Sequence, residues 1–223
     1  MNKPLNKKKI IISAGPVYVP IDKVRVMTNI FGGQLGYFIA QEASRLGAKV
    51  TLLMGPGRVI FNGNEKFKVI KYKYFNDIYK ILKNLLNSKK YHIIIHSAAI
   101  PDYIPVNTYK GKIKSGQKEL IIRFKPTIKI IDKFRKWDKD IFIVKFKLEV
   151  GKTKKQLIKI AYQSMMHSRA DLIVANELNN ISLNHKAIIL DKNKNILNLE
   201  GKKMIAKELL ELINQKLKIN EKH

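Results

Sequence analysis

Asn29 lies in a long polar loop between Gly15 and the pair Gly32-Gly33, within SAGPVYVPIDKVRVMTNIFGGQLGY. The same loop carries Asp22 and Arg25. Glycine lets a backbone approach a phosphate closely, an Asn amide offers a neutral donor and acceptor, and arginine adds a rigid cationic fork. That set suits chemistry beside a phosphate. Further basic groups follow: Lys110, Lys112 and Lys114 in KGKIKS, Lys125 before Pro126, and Lys147 in FKLEV. HSAAIPDY contributes Ala98, Ala99 and Asp102, and Phe146 and Glu149 accompany Lys147.

Each of these residues also has a plain structural reading. Asn29 precedes a helix and fits an N-cap. Lys112 is one lysine among many, Asp102 a turn residue, Phe146 a core aromatic. No P-loop consensus is present, and the dinucleotide fingerprint fails because Phe31 stands where its first glycine belongs. The histidines lack metal-ligand spacing, and His92 and His96, on one face of a strand, read as structural. With no cysteine there is neither thiol nucleophile nor disulfide, and no metal site built by the protein is expected.

Positioning such groups requires a rigid frame, and the apolar pattern supplies one. KIIISA (9–14), KVTLLM (49–54), KVIKYKY (68–74), YHIIIHSA (91–98), ELIIRF (119–124), IFIVKF (141–146) and DLIVAN (171–176) read as strands. YHIIIHSA is too apolar for a sheet edge. Helices are expected after Gly33, with Leu35, Phe38, Ile39, Ala43 and Leu46 on one stripe, then over about 76–88, briefly near 128–134, over 153–168 and over 202–218. KAIILD and NILNLE read as a terminal hairpin. Alternating strands and helices predict an α/β, Rossmann-like fold: a mostly parallel sheet with helices on both faces, in a single domain over 1–223. A small flap, about 101–125, is expected outside the sheet. Ligands on such sheets bind beyond the carboxyl ends of the strands, which gathers the loops 15–33, 55–65, 97–116 and 146–152.

The net charge of +27 invites a nucleic-acid partner. However, the basic residues are mostly lysine, are spread along the whole chain, and are not interleaved with aromatics, so base composition of an AT-rich genome and anionic small ligands are preferred. No specific nucleic acid is expected. No apolar run approaches the roughly 18 residues a membrane span needs, and the basic start with its short apolar run does not make a signal peptide. No membrane contact and a cytoplasmic location are expected.

The motifs GPVYVPIDKVRVMTN, GGQLG, HSAAIPDY, KIKS, FKLEV and ADLIVAN, in this order and spacing, resemble the phosphopantothenate–cysteine ligase family, in its stand-alone bacterial type, over about residues 8–190. The resemblance implies a reaction in which a nucleoside triphosphate, CTP in most bacterial members, activates the carboxylate of phosphopantothenate and cysteine then captures the acyl group. It implies that Asn29 holds the acyl-nucleotide and that Lys112 is catalytic. It places nucleotide contacts at Gly15, Pro16, Gly32, Gly33, Ala98, Ala99, Asp102, Lys125, Phe146 and Lys147, and substrate contacts at Asp22, Arg25 and Asn29. CTP or ATP with Mg2+, and a homodimer, are implied as well.

Two departures stand out. Ile30-Phe31-Gly32 replaces the family's usual His-Ser-Ser, and Val17 replaces a usual Thr. In addition, two lysines that the fused bacterial members carry on the helix before ADLIVAN are missing, with Gln163, Ser164, His167 and Ser168 near those places. Lys147 is a candidate substitute. The rival readings are an NAD(P)-dependent Rossmann reductase, which leaves PIDKVR and KIKS unexplained, and a basic nucleic-acid-binding protein.

Overall fold

A computed structural model describes residues 3–180 and 184–220. The central sheet has eight strands: β1 (Lys9–Ala14), β4 (Lys49–Met54), β5 (Lys68–Lys71), β6 (Ile93–His96), β9 (Phe142–Glu149), β10 (Leu172–Glu177), β11 (Lys186–Asp191) and β12 (Ile196–Glu200). Their order is β12-β11-β10-β9-β6-β1-β4-β5. The pairs from β5 to β10 are parallel, and β11 and β12 close one edge as an antiparallel hairpin. The expected Rossmann-like α/β class is therefore observed, with the apolar β6 in the interior of the sheet.

Two short ribbons stand off the sheet. β2 (Val19–Pro20) pairs with β3 (Val26–Met27) inside the long loop after β1, and β7 (Tyr103–Pro105) pairs with β8 (Phe124–Pro126). The expected strand ELIIRF is thereby corrected: only Phe124 belongs to a strand, and Leu120 and Ile121 are exposed. Alternating apolar residues make a strand only where a face is buried, and nothing covers these. The expected strand at 68–74 likewise ends at Lys71, where Tyr72 turns inward and is buried.

Both sheet faces are covered. Helices α1 (Gln34–Arg45) and α5 (Lys202–Asn220) bury one face, with Ile10, Ile12, Leu52, Ile93, Ile95 and Val144 beneath them. Helices α2 (Phe75–Asn87), α3 (Phe134–Trp137) and α4 (Lys154–His167) bury the other over Ile11, Leu53, Ile94, Ile143 and Ile173. A 3-10 turn, Ile130–Lys133, leads into α3. On α1 the fully buried side is Gly36, Tyr37, Ile39, Ala40 and Ala43, so Leu35, Phe38 and Leu46 of the expected stripe lie at its margin. Thr153 and Gln156 form a reciprocal cap that starts α4: the Gln156 amide donates to Thr153 Oγ1 at 3.3 Å and the Thr153 amide to Gln156 Oε1 at 2.9 Å. Among the described residues, no helix is long and apolar enough to cross a membrane.

The chain leaves β1 toward β4 and β5, then returns to the other side of β1 with β6, β9 and β10. That reversal between β1 and β6 is the topological switch point, where open α/β sheets leave a crevice for a ligand. α1 starts there, pressed onto β1. A Cβ on Gly36 would lie 2.4 Å from Ala14 Cβ and 2.8 Å from Ser97 Oγ. Gly36→Ala is expected to lower stability by about 1–3 kcal/mol through overpacking. A urea titration checks this, and an unchanged midpoint would mean that the helix shifts without loss.

Candidate functional site

The loops after β1, β4 and β6 interlock through backbone. Gly15 has φ +82°, and a Cβ there would press on the Gly55 backbone at 3.2 Å. The Gly55 amide donates to Ala14 O at 2.9 Å, and the buried Tyr72 hydroxyl donates to Ala14 O at 2.8 Å and Gly15 O at 3.0 Å. Burial pushes the Tyr72 phenol well above its ordinary range, so it remains a donor at any working pH. Ala99 donates to Gly15 O at 3.0 Å and accepts from the Val17 amide at 3.3 Å, giving a bridge between Pro16 and Ala99. The amides after Gly15 therefore do not face outward: proline has none, and those of Val17 and Tyr18 are bonded to Ala99 O and Lys73 O. A nucleotide contact at Gly15 and Pro16, as the resemblance implies, therefore does not run through the amides that follow them.

The open donors lie at the start of α1. Its cap is Gly33, with φ +83°, no side-chain cap and no acidic residue in the first turn. A Cβ at Gly33 would lie 2.9 Å from Gly15 N and from Met54 Sδ, and one at Gly32 would lie 3.2 Å from Arg58. The helix thus begins at the crevice with first-turn N–H groups that have no intrahelical partner and with the positive end of its dipole.

Asn29 is not the N-cap, which is Gly33. Its exposed amide reaches across the crevice to Ala99 O at 3.5 Å, and neighbouring Thr28 donates to Val17 O at 3.2 Å. The structure thereby gathers Gly15, Pro16, Asn29, Gly32, Gly33 and Ala99 around one opening, with Ala98 half-buried behind it.

Asp22 and Arg25 do something else. The buried Asp22 carboxylate accepts from the Val24 amide at 2.8 Å, the Arg25 amide at 2.7 Å, the Arg25 guanidinium at 2.5 Å and the Ile113 amide at 3.0 Å. Its bond from Ile113, aided by those from Val24 and Arg25, holds the carboxyl at about 2 against the opposing effect of burial. Arg25 also faces Ile113 O at 3.4 Å, while Lys23 N donates to Gly111 O and Tyr109 N to Ile21 O. This clip ties the β1 loop to the segment that carries Lys112. Asp22 has no oxygen left over for a substrate, so it positions; Lys112, next to the buried Ile113, is exposed.

Asp102 and Lys125 sit on the β7–β8 ribbon, Asp102 just before Tyr103 and Lys125 opposite Ile104. Both side chains are exposed. Phe146 and Lys147 leave opposite faces of β9: Phe146 packs beside the α1/α5 core, and Lys147 pairs with Glu149 at 2.9 Å. Asn176 and Glu177 are structural, donating to Lys186 O and accepting from Gly151 N and Asn179 N.

The sequence reading missed a buried polar row. Ser13, His96 and Lys145 occupy neighbouring positions on β1, β6 and β9. Ser13 Oγ and His96 Nδ1 are 2.6 Å apart, and Lys145 Nζ donates to Ser164 O, Ser164 Oγ and Ser168 Oγ at 3.0, 2.9 and 3.1 Å. The sequence shows only that Lys145 shares the face of Ile143; the interior position of β9, which turns that face into a packed layer, comes from the fold.

Among the described residues, no group of three or more His, Cys, Asp or Glu is placed to hold a metal ion. Cavities of about 360 and 630 Å³ lie elsewhere, the first near Glu177 and Lys186, the second near His92 and Lys139.

A family model described as "DNA/pantothenate metabolism flavoprotein C-terminal domain" matches residues 5–217. The coenzyme A biosynthesis bifunctional protein CoaBC of Thermococcus kodakarensis is 33% identical over 189 residues, covering 84% of this chain and 46% of that protein. The crystal structure of the DNA/pantothenate metabolism flavoprotein from Streptococcus pneumoniae is similar at a TM-score of 0.85 and 29% identity, covering 94% of this chain and 99% of that one. A Cab2 mutant in complex with phosphopantothenate-cysteine shares the fold, with a TM-score of 0.79 at 18% identity over 98% of this chain and 90% of that one. The chain spans about half the length of the curated relatives it matches.

The clip makes a pH prediction. A carboxyl held at about 2 in the fold and near 3.8 when free contributes stability above the higher value and loses it as pH falls through the lower. Amide exchange at Ile113 should stay protected near pH 3 in the native protein and lose protection in Asp22→Asn at neutral pH. Equal protection in both proteins would remove the carboxylate from the clip.

Proposed function

The chain belongs to the DNA/pantothenate metabolism flavoprotein C-terminal domain family, and from that premise we propose that it is a phosphopantothenate–cysteine ligase of coenzyme A biosynthesis, acting through an acyl-nucleotide. The observation that carries this reading is the crevice itself: Asn29 faces Ala99 O beside the uncapped start of α1, and the Asp22 clip brings the Lys112 segment to the same loop.

In the proposed reaction a carboxylate oxygen of phosphopantothenate attacks the α-phosphorus of CTP or ATP. The bond to pyrophosphate breaks, leaving an acyl-nucleotidyl anhydride. The cysteine amine then attacks the acyl carbon, the nucleoside monophosphate leaves, and the amine loses a proton. Two anions must meet, so catalysis needs fixed donors where charge accumulates. The start of α1 supplies them as backbone amides, which takes over from the hydroxyls missing at Ile30-Phe31-Gly32. Lys112 supplies mobile positive charge: an ammonium about 4 Å from a phosphate is worth about 4 kcal/mol at an effective dielectric near 20. Asn29 holds the acyl carbonyl and its neighbouring phosphate. Asp102 and Lys125 approach the nucleotide from the ribbon.

Magnesium accompanies a nucleotide's phosphates and takes few protein ligands. Asp102, an exposed carboxylate without a side-chain partner among the described residues, is the candidate ligand, and the ion would neutralise charge on the leaving pyrophosphate. The flap exposes Tyr103, Leu120, Ile121 and Phe124, which supports a homodimer sharing this region. A cytoplasmic setting follows from the reaction.

Pyrophosphate release from CTP or ATP with phosphopantothenate, with and without cysteine, tests the reading; no consumption of either nucleotide would end it. Asn29→Ala and Lys112→Ala should each reduce product formation by about 100-fold or more, with the fold intact by circular dichroism. Turnover at the native rate in either variant would take that residue out of the mechanism. Lys147→Ala should raise the KM for the nucleotide, and an unchanged KM would leave Lys147 to its pairing with Glu149.

A further inference from the structure

Lys145 is a buried cation that the proposed reaction has not used. It is 8% exposed. Three neutral oxygens hold its ammonium, two from Ser164 and one from Ser168, and no carboxylate is within ion-pair distance of it among the described residues. Two hydroxyls and a backbone carbonyl satisfy its donors without neutralising its charge. A buried charge in that condition is a net burden on the fold, and an apolar side chain of similar volume would pack there at less cost.

Its place in the molecule gives the burden a purpose. Lys145 stands midway along β9, paired with His96 at the carboxyl end of β6, one strand from the crevice where this fold takes its ligand. Ser164, its closest contact, is only half-buried. The 3-10 turn and α4 approach each other alongside, where Asp132 Oδ2 and His167 Nε2 are 3.8 Å apart. An ammonium is donor-only and a triphosphate acceptor-only, so the two are complementary.

We propose that Lys145 is a nucleotide-binding residue, exchanging a serine for a phosphate oxygen of the nucleoside triphosphate between the 3-10 turn and α4. This assignment rests on the ligase reading. It also gives Ser164 and Ser168 a part: they hold the lysine in place while the site is empty, from near the positions where lysines are missing.

The groups facing Lys145 define its pH behaviour. Burial holds its ammonium down at about 8, Asp132 opposes this, and Lys147 and Lys129 add to it. His96 is held at about 4 by burial and by Lys145, so it is neutral across the working range. His167 stands beyond Asp132. The lysine is therefore charged in the free protein below about pH 8 and neutral above it. Nucleotide affinity should fall as pH rises through that value. Between that value and the ordinary lysine value of 10.5 the unfolded chain binds more protons than the native one, so the contribution of Lys145 to stability rises with pH.

The test is a calorimetric titration with Mg-CTP and Mg-ATP, without phosphopantothenate or cysteine, on native protein, Lys145→Met and Lys145→Arg. Lys145→Met should weaken binding of the preferred nucleotide at least tenfold at pH 7, with a melting temperature equal to or above native. Lys145→Arg, charged throughout, should retain binding and lose the decline above pH 8. Affinity within twofold of native in Lys145→Met would overturn the proposal and assign the lysine to the fold alone. Should the methionine variant fail to fold, Lys145→Gln, which keeps donors for both serines, is measured under the same criterion. If the native protein binds neither nucleotide, it is the ligase reading that fails; if it binds and the variants match it, only the assignment of Lys145 does.

Discussion

Gly36 rests on Ala14 with no room for a methyl group between them, and much of the crevice follows from that contact. It presses the first turn of α1 onto the end of β1. That brings Gly33 against Gly15, and Gly15 in turn lies against Gly55 at the end of β4. The two ends of the loop after β1 and the loop after β4 therefore meet through main chain, where a side chain would have held them apart. Close-packed backbone has few alternative arrangements, so the open amides of α1 are aimed before any ligand arrives. Preorganised donors of this kind need no rearrangement when charge develops.

The acidic residues follow a consistent division. Glu177 accepts from backbone amides, and Asp22, Asp171 and Asp191 bind amides together with Arg25, Arg135, Lys192 or Lys216. Each secures a loop or a strand end. With most buried carboxylates occupied in this way, the excess of lysines is left largely uncompensated at the surface. A field of that sign raises the local concentration of anionic substrates and speeds their arrival, an advantage that salt reduces.

Much of the frame was legible in the sequence. Runs such as KIIISA, KVTLLM and DLIVAN are apolar on both faces, which only a covered parallel strand explains. ELIIRF misled because composition resembles a strand whether or not anything packs on it. The ribbon at Val19–Pro20 and Val26–Met27 was invisible, being two residues long on each side. In the site, the glycines and Asn29 could be located by their loop. The carboxylate of Asp22 could not be assigned, because its partner Ile113 is far off in the chain and contributes only a backbone amide. Lys145 was hidden by its setting: within IFIVKF it passes for a tolerated surface lysine until β6 and β10 are seen on either side.

The two helices on one face of the sheet are far apart in the sequence, α1 at Gln34–Arg45 and α5 at Lys202–Asn220. Ile39, Ala40 and Ala43 of α1 share a core with Ile205, Leu209, Leu210 and Ile213 of α5. During synthesis α1 leaves the ribosome on the order of 160 residues before α5, roughly ten to thirty seconds at 5–20 residues per second. For that interval an apolar helix face and the strands under it have no cover. A nascent chain of this design is exposed to misassociation until α5 emerges, and that helix acts as the latch that closes this face of the sheet.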